Sequence, residues 1–246
     1  MSLPVILLLG TVGLFVGSAV WVIAAAQAAH RPLFSGPACA SCSAPLPAAA
    51  WLPVYGCGRV RRCRACGVGQ PIARVLFELG VAGYFAAVAA RSDDGVSLAA
   101  TLIFTVPLLV ILLVDWWTRY IYTNIIGLGL LLGFGFALVD GVGTLLNHLL
   151  AAGVALLAFG FFFALAAGIY RNLAVVPFGR GDVYLAAVIG AMTGWPDVAT
   201  ALFYGMFFGG VGAVLLLATR RAGRRDAVAY GPYLCVGALV VLLIRV

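Results

Sequence analysis

Apolar residues run along this chain in eight blocks separated by short polar stretches, at 3–29, 75–90, 96–114, 125–139, 147–170, 183–195, 198–219 and 229–245. Segments of about 17–25 apolar residues are what cross a bilayer as helices. The pattern therefore predicts an all-α polytopic membrane protein with about eight transmembrane helices. Several blocks are short or rich in glycine and alanine, which suits close helix packing in lipid, where small residues let backbones approach. The first block ends in AAAQAA, like a cleavage region. No positive charge precedes it, however, and it exceeds the roughly 7–15 apolar residues of a signal peptide's core. It is expected to stay as the first helix.

Composition strengthens this picture. The chain is 64% hydrophobic and 9% charged, with a mean hydropathy of +1.13, more apolar surface than a soluble core of this length can use. The net charge of +7 comes from fifteen basic residues, all arginine. They are scattered between the apolar blocks rather than gathered on one face, which argues against nucleic acid and for a topology signal. With the N-terminus outside, segments 30–74, 115–124, 171–182 and 220–228 face the cytoplasm. They hold thirteen arginines, leaving only Arg91 and Arg245 outside. The expected organisation is a first helix over 1–29, a cytoplasmic loop domain over 30–74 and a multi-helix membrane domain over 75–246.

That loop reads CASC at Cys39 and Cys42, then CRAC at Cys63 and Cys66, with twenty residues between the pairs. C-x2-C pairs at this separation suit a four-thiolate zinc site, each pair supplied by a tight knuckle. The loop has turns but little apolar mass, so a structural metal would supply folding energy. Disulfides are the competing reading, which a reducing cytoplasm disfavours. Cys57 and Cys235 are expected to pack rather than bind metal.

Among the acids, Asp93, Asp94, Asp140 and Asp197 fall in outer loops, and Asp226 follows a basic run. Glu78, near the start of the second block, is expected to anchor at the interface. Asp115 and Asp182 remain, both at helix ends on the arginine-rich side. Asp115 lies in LLVDWWTRYIYTN, where pairing with Arg119 is the plain structural reading. Asp182 follows Gly179-Arg180-Gly181, where an N-cap is the plain reading. Neither explains the glycines, which permit close approach of a helix or of an extended peptide. Two carboxylates sharing a site cannot both ionise comfortably. One holds a proton, and the pair can activate a water and polarise a carbonyl. That is the chemistry of aspartic proteolysis.

Taken together, these motifs resemble the bacterial type IV prepilin peptidases, membrane aspartic proteases of the G-x-G-D type. The resemblance covers nearly the whole chain. It is carried by GLFVGS at 13–18, HRP at 30–32, the paired C-x-x-C loop, Asp115, GRGD at 179–182 and YGPYLCVGA at 230–238, which is similar to the family's Phe-Gly-Pro motif. The chain has Tyr184 where the family often has a lysine, and IYTN at 121–124 where it has Ile-Pro-Asn or Ile-Pro-Asp. The resemblance implies a bacterial inner-membrane enzyme that cuts the basic leader from prepilin or pseudopilin precursors on the cytoplasmic face, commonly after a glycine. Many members then methylate the new N-terminus with S-adenosylmethionine, which would be a cofactor here if that activity is retained. By position, Asp115 and Asp182 would be catalytic, Gly179 and Gly181 would admit the substrate backbone, and Cys39, Cys42, Cys63 and Cys66 would bind zinc.

Three other readings compete. A presenilin-like or signal-peptide-peptidase enzyme also uses G-x-G-D but lacks the cysteine quartet. An ion-coupled transporter would place Asp115 and Asp182 as proton or cation ligands, though such acids belong near mid-bilayer. A non-catalytic pilus or secretion scaffold would use the cysteine loop for docking. Oligomeric state and the particular precursor are not encoded in any motif.

Overall fold

The computed structural model describes residues 2–32, 35–54, 62–169, 179–219 and 229–246. Cys57, Asp226 and the arginines at 59, 61, 171, 220, 221, 224 and 225 lie outside the described residues. Among the described residues, eight α-helices account for the eight apolar blocks: α1 Leu3–Ala28, α2 Ile72–Arg91, α3 Gly95–Thr118, α4 Thr123–Asp140, α5 Val142–Ile169, α6 Arg180–Thr193, α7 Asp197–Ala218 and α8 Gly231–Arg245. There is no strand among the described residues, only two isolated bridges in the loop after α1. Helices α1 to α5 and α7 are long and apolar enough to cross a membrane. This is a multi-pass membrane protein. The chain divides into two compact units, one running to Val106 and the other from Pro107 to Arg245.

In the first unit α1 packs on α2 along a glycine seam. Gly13 and Gly17 stand four residues apart, on one helix face. A methyl group at residue 13 would lie 2.9 Å from the Ala82 Cα, and one at residue 17 would lie 3.1 Å from the Glu78 Cα. Without a hydrophobic drive between helices in lipid, such close backbone contact is what holds a pair together. The GLFVGS stretch is thus a packing surface, and its last residue, Ser18, is fully buried.

At the base of the loop that surface joins a polar cluster. Glu78 is fully buried and pairs with Arg74 at 3.0 Å. It also accepts the Val54 N–H at 2.8 Å. Arg74 donates to the Ser18 hydroxyl at 2.9 Å and to the Ala50 carbonyl, while Ser18 donates to the Trp51 carbonyl at 2.8 Å. The short 3-10 turn Ala48–Trp51 is held by these bonds against both helices. Glu78 is therefore not the interfacial anchor expected from its position. It is the centre of a buried network, because Arg74 one turn earlier neutralises it.

In the second unit α6 is the central helix. Leu185, Ala186, Val188, Ile189, Ala191 and Met192 are all buried, so no face is left for lipid. At 14 residues it is about 21 Å long, shorter than the roughly 30 Å hydrocarbon core. Glycines bring its neighbours close: Gly129 and Gly133 of α4 meet Val188 and Ala191, and Gly190 of α6 meets the Ala151 backbone of α5. Gly205 of α7 meets Leu234 of α8 in the same way.

Helix α5 begins at Val142, five residues before the predicted start at 147. The helix takes in residues 142–146, which the predicted block left out, and runs into two polar residues that are satisfied in the fold. Asn147 Oδ1 accepts the Trp195 N–H at 2.7 Å and Nδ2 donates to the Trp195 carbonyl at 3.1 Å. The buried His148 places Nδ1 2.8 Å from the Ala191 carbonyl. These contacts close the end of the unit opposite Asp182.

Candidate active site

Helix α3 carries its apolar run through Asp115 and ends one turn later. Arg119 takes a left-handed φ of 57°, and its N–H bonds the Asp115 carbonyl at 2.8 Å, an end motif that satisfies one of the last free carbonyls. Trp116, Trp117 and Tyr120 are exposed around this end, as suits a headgroup layer. Asp115 itself turns inward and is only 5% exposed. Its Oδ2 is buried and takes no hydrogen bond among the described residues. Buried carboxylate oxygens are rarely left without a partner, which marks this atom as a place for a proton, a water or a substrate group.

Asp182 sits at the opposite kind of helix end. Gly179 is the N-cap of α6, and Asp182 is the third residue of the helix, not the cap itself. Its Oδ2 accepts the Gly179 N–H at 3.1 Å. Asp182 is 7% exposed and lies within Coulombic reach of Asp115. The two acids, 67 residues apart in the chain, therefore lie near each other at one end of the second unit.

Two further segments complete the surroundings. Gly231, at the start of α8, turns its N–H toward the Asp115 carboxyl. A methyl group there would fall 2.6 Å from Asp115 Oδ2, so only glycine fits. Tyr230 lies within Coulombic reach of Asp182, and its ring packs over Gly209 of α7. Ile121, in the short connection between α3 and α4, lies against both glycines. Its Cβ is 3.1 Å from the position a Gly181 Cβ would take, and its Cδ1 is 3.3 Å from the corresponding point at Gly231.

The two glycines of GRGD differ. The space above Gly181 holds Ile121, whereas among the described residues only the Asp182 carboxylate and the Gly181 N–H lie near Gly179. Ile121, Tyr230 and Gly231 were not singled out as site residues from the sequence. Tyr230 and Gly231 belong to YGPYLCVGA, a motif recognised without a role. Cys235, one turn further along α8, is buried within Coulombic reach of both acids and packs as expected.

In the loop the four cysteines converge. Cys39, Cys42, Cys63 and Cys66 place their Sγ atoms within 4.8 Å of one another, an arrangement that can hold a metal ion. Cys39 and Cys66 stand 3.6 Å apart, and Cys42 and Cys63 stand 3.7 Å apart. Each C-x-x-C is a knuckle whose backbone N–H groups point at the first thiol. The Cys42 and Ser41 N–H groups hold Cys39 down to about 6, and those of Cys66 and Ala65 hold Cys63 below its ordinary value. Both shifts favour thiolate, the form that ligates metal.

Residues 102–214 match the type IV leader peptidase family. A prepilin leader peptidase/N-methyltransferase of Myxococcus xanthus (strain DK1622) is 29% identical over 221 residues, which cover 87% of this chain and 64% of that protein. The chain thus spans less than two thirds of the length of that relative. No solved structure matches. The matched segment contains both Asp115 and Asp182 and ends before the YGP turn. Over residues 102–214, the chain is thus similar to the type IV leader peptidases.

Proposed function

We propose that this chain is a membrane aspartic endopeptidase. It removes the basic leader from prepilin or pseudopilin precursors, with Asp115 and Asp182 as the reacting pair. The observation that supports this most is the convergence of two buried carboxylates, one of them with an oxygen left without a partner among the described residues. Two such groups share one proton. The ionised carboxylate takes a proton from water as the water oxygen bonds to the scissile carbonyl carbon. The protonated carboxyl donates its proton to the carbonyl oxygen. Collapse of the resulting diol breaks the C–N bond, the proton taken from water passes to the leaving amine, and the pair again holds one proton.

The arginine distribution supports an active site on the cytoplasmic face of a bacterial inner membrane, where a leader would meet it. The cysteine cluster suits zinc. Tetrahedral Zn–S bonds of about 2.3 Å require sulfurs about 3.8 Å apart, close to the 3.6 and 3.7 Å of the two facing pairs. Zinc bound there would be structural, tying the two knuckles of a loop that has little apolar core. The relative's name also carries N-methyltransferase activity. For this chain, methyl transfer from S-adenosylmethionine to the freed N-terminus is a second, separate part of the proposal.

The test is to incubate the purified chain in detergent with a leader-bearing precursor and weigh the products. Leader loss with no ion gradient present supports the peptidase and excludes an ion-coupled transporter. An intact precursor overturns it. A further gain of one methyl group with S-adenosylmethionine reports the second activity in the same spectrum.

A further inference from the structure

Three chain segments meet at the side chain of Ile121. Its Cβ, Cγ1 and Cδ1 lie 3.1 to 3.2 Å from where a side chain on Gly181 would begin, directly before Asp182. Its Cδ1 also lies 3.3 Å from the corresponding point on Gly231, and that same point is 2.6 Å from Asp115 Oδ2. Ile121 is half-buried, so part of its surface is packed and part is reachable. It is therefore an apolar side chain packed against the two glycines that adjoin the carboxylates.

We propose that Ile121 is a specificity-determining residue: its side chain limits the size of the substrate residue whose carbonyl is attacked. This rests on Asp115 and Asp182 being the reacting acids. A carbonyl within hydrogen-bond reach of both carboxyl groups, about 2.6–3.2 Å, then has Ile121 as a near neighbour. The Cα of that residue is only about 1.5 Å from the carbonyl carbon. A side chain growing from it on this side runs into the isoleucine, whereas a glycine offers nothing to clash. The glycine at residue 181 then has a defined purpose. It lets Ile121 settle against the start of α6 and hold its place next to Asp182.

The experiment compares three precursor peptides that differ only in the residue before the cleaved bond: glycine, alanine or valine. Each is cleaved by the purified full chain and by Ile121→Val and Ile121→Ala. In the unaltered protein kcat/KM falls from glycine to alanine to valine. One carbon in an apolar pocket changes such a ratio by about tenfold or more. Ile121→Val is expected to raise alanine relative to glycine by about tenfold, and Ile121→Ala to extend the gain to valine. Because each ratio is taken within one variant, a loss of folded protein cancels. Unchanged ratios in both variants, or loss of all cleavage in both, overturns the inference. If the unaltered chain cleaves none of the three peptides, the peptidase reading itself has failed.

Discussion

Gly231 and Asp115 stand so close that residue 231 has no room for a side chain: a methyl group there would meet Oδ2 at 2.6 Å and Cγ at 3.1 Å. The start of α8 is thereby pressed against the carboxylate that ends α3. Asp115 keeps its inward orientation because glycine occupies that position.

Gly231→Ala should push the Asp115 carboxyl aside. A misplacement of about 1 Å at a reacting group costs roughly a hundredfold in rate. Leader cleavage is expected to fall by about that factor, with KM little changed. Gly210→Ala on α7, where none of the described residues lies within 4 Å of the added methyl, serves as the control and should keep its activity. Equal activity in the two variants would detach Gly231 from the site.

Asp115→Asn and Asp182→Asn should each lower cleavage by about 10²–10⁴-fold or more, since each removes one half of the proposed acid–base pair. Both amides are nearly isosteric with the acids, so membrane insertion and detergent extraction should match the unaltered chain. Processing that persists in either variant would sink the two-carboxylate mechanism.

Removing one member of the Arg74–Glu78 pair leaves an uncompensated charge in a site where Glu78 is fully buried and Arg74 is 2% exposed. Such single removals cost about 3–5 kcal/mol. Glu78→Ala is expected to lower the thermal unfolding midpoint of the detergent-solubilised protein sharply. The double variant Arg74→Met with Glu78→Leu should lose much less. Similar losses in the single and double variants would mean the pairing is not what makes the single change costly.

The knuckle thiols make metal retention depend on pH. Cys39 titrates at about 6 in the folded loop, below its ordinary value of 9.0. A depressed value contributes stability that is complete above the ordinary value and is lost as pH falls through about 6. Zinc release to a coloured chelator should therefore be slow at pH 8 and rise steeply below pH 6. Substituting Cys39 by serine should release the metal even at pH 8. A release rate flat across that interval would contradict thiolate ligation.

The eight helices were legible in the sequence because bilayer thickness leaves few alternatives to a long apolar run. Three other short breaks and the four arginine-rich ones marked the ends to within a few residues. The start of α5 was the exception, since residues 142–146 fell outside the predicted block although the helix runs through them. The cysteine quartet was equally legible, because a knuckle is local and its spacing encodes its geometry.

What the sequence determined by itself is therefore the set of helices, the two acids that no outer loop explains, and the four thiols. Only the tertiary structure decided how distant segments share a few ångströms of space. It buried Glu78 on Arg74, set Asp182 third in its helix with Gly179 as the cap, brought Gly231 onto Asp115, and filled the space over Gly181 with Ile121. The reason is physical: spanning a bilayer is a property of single segments, but the fit of one side chain into the space left by another depends on how those segments pack.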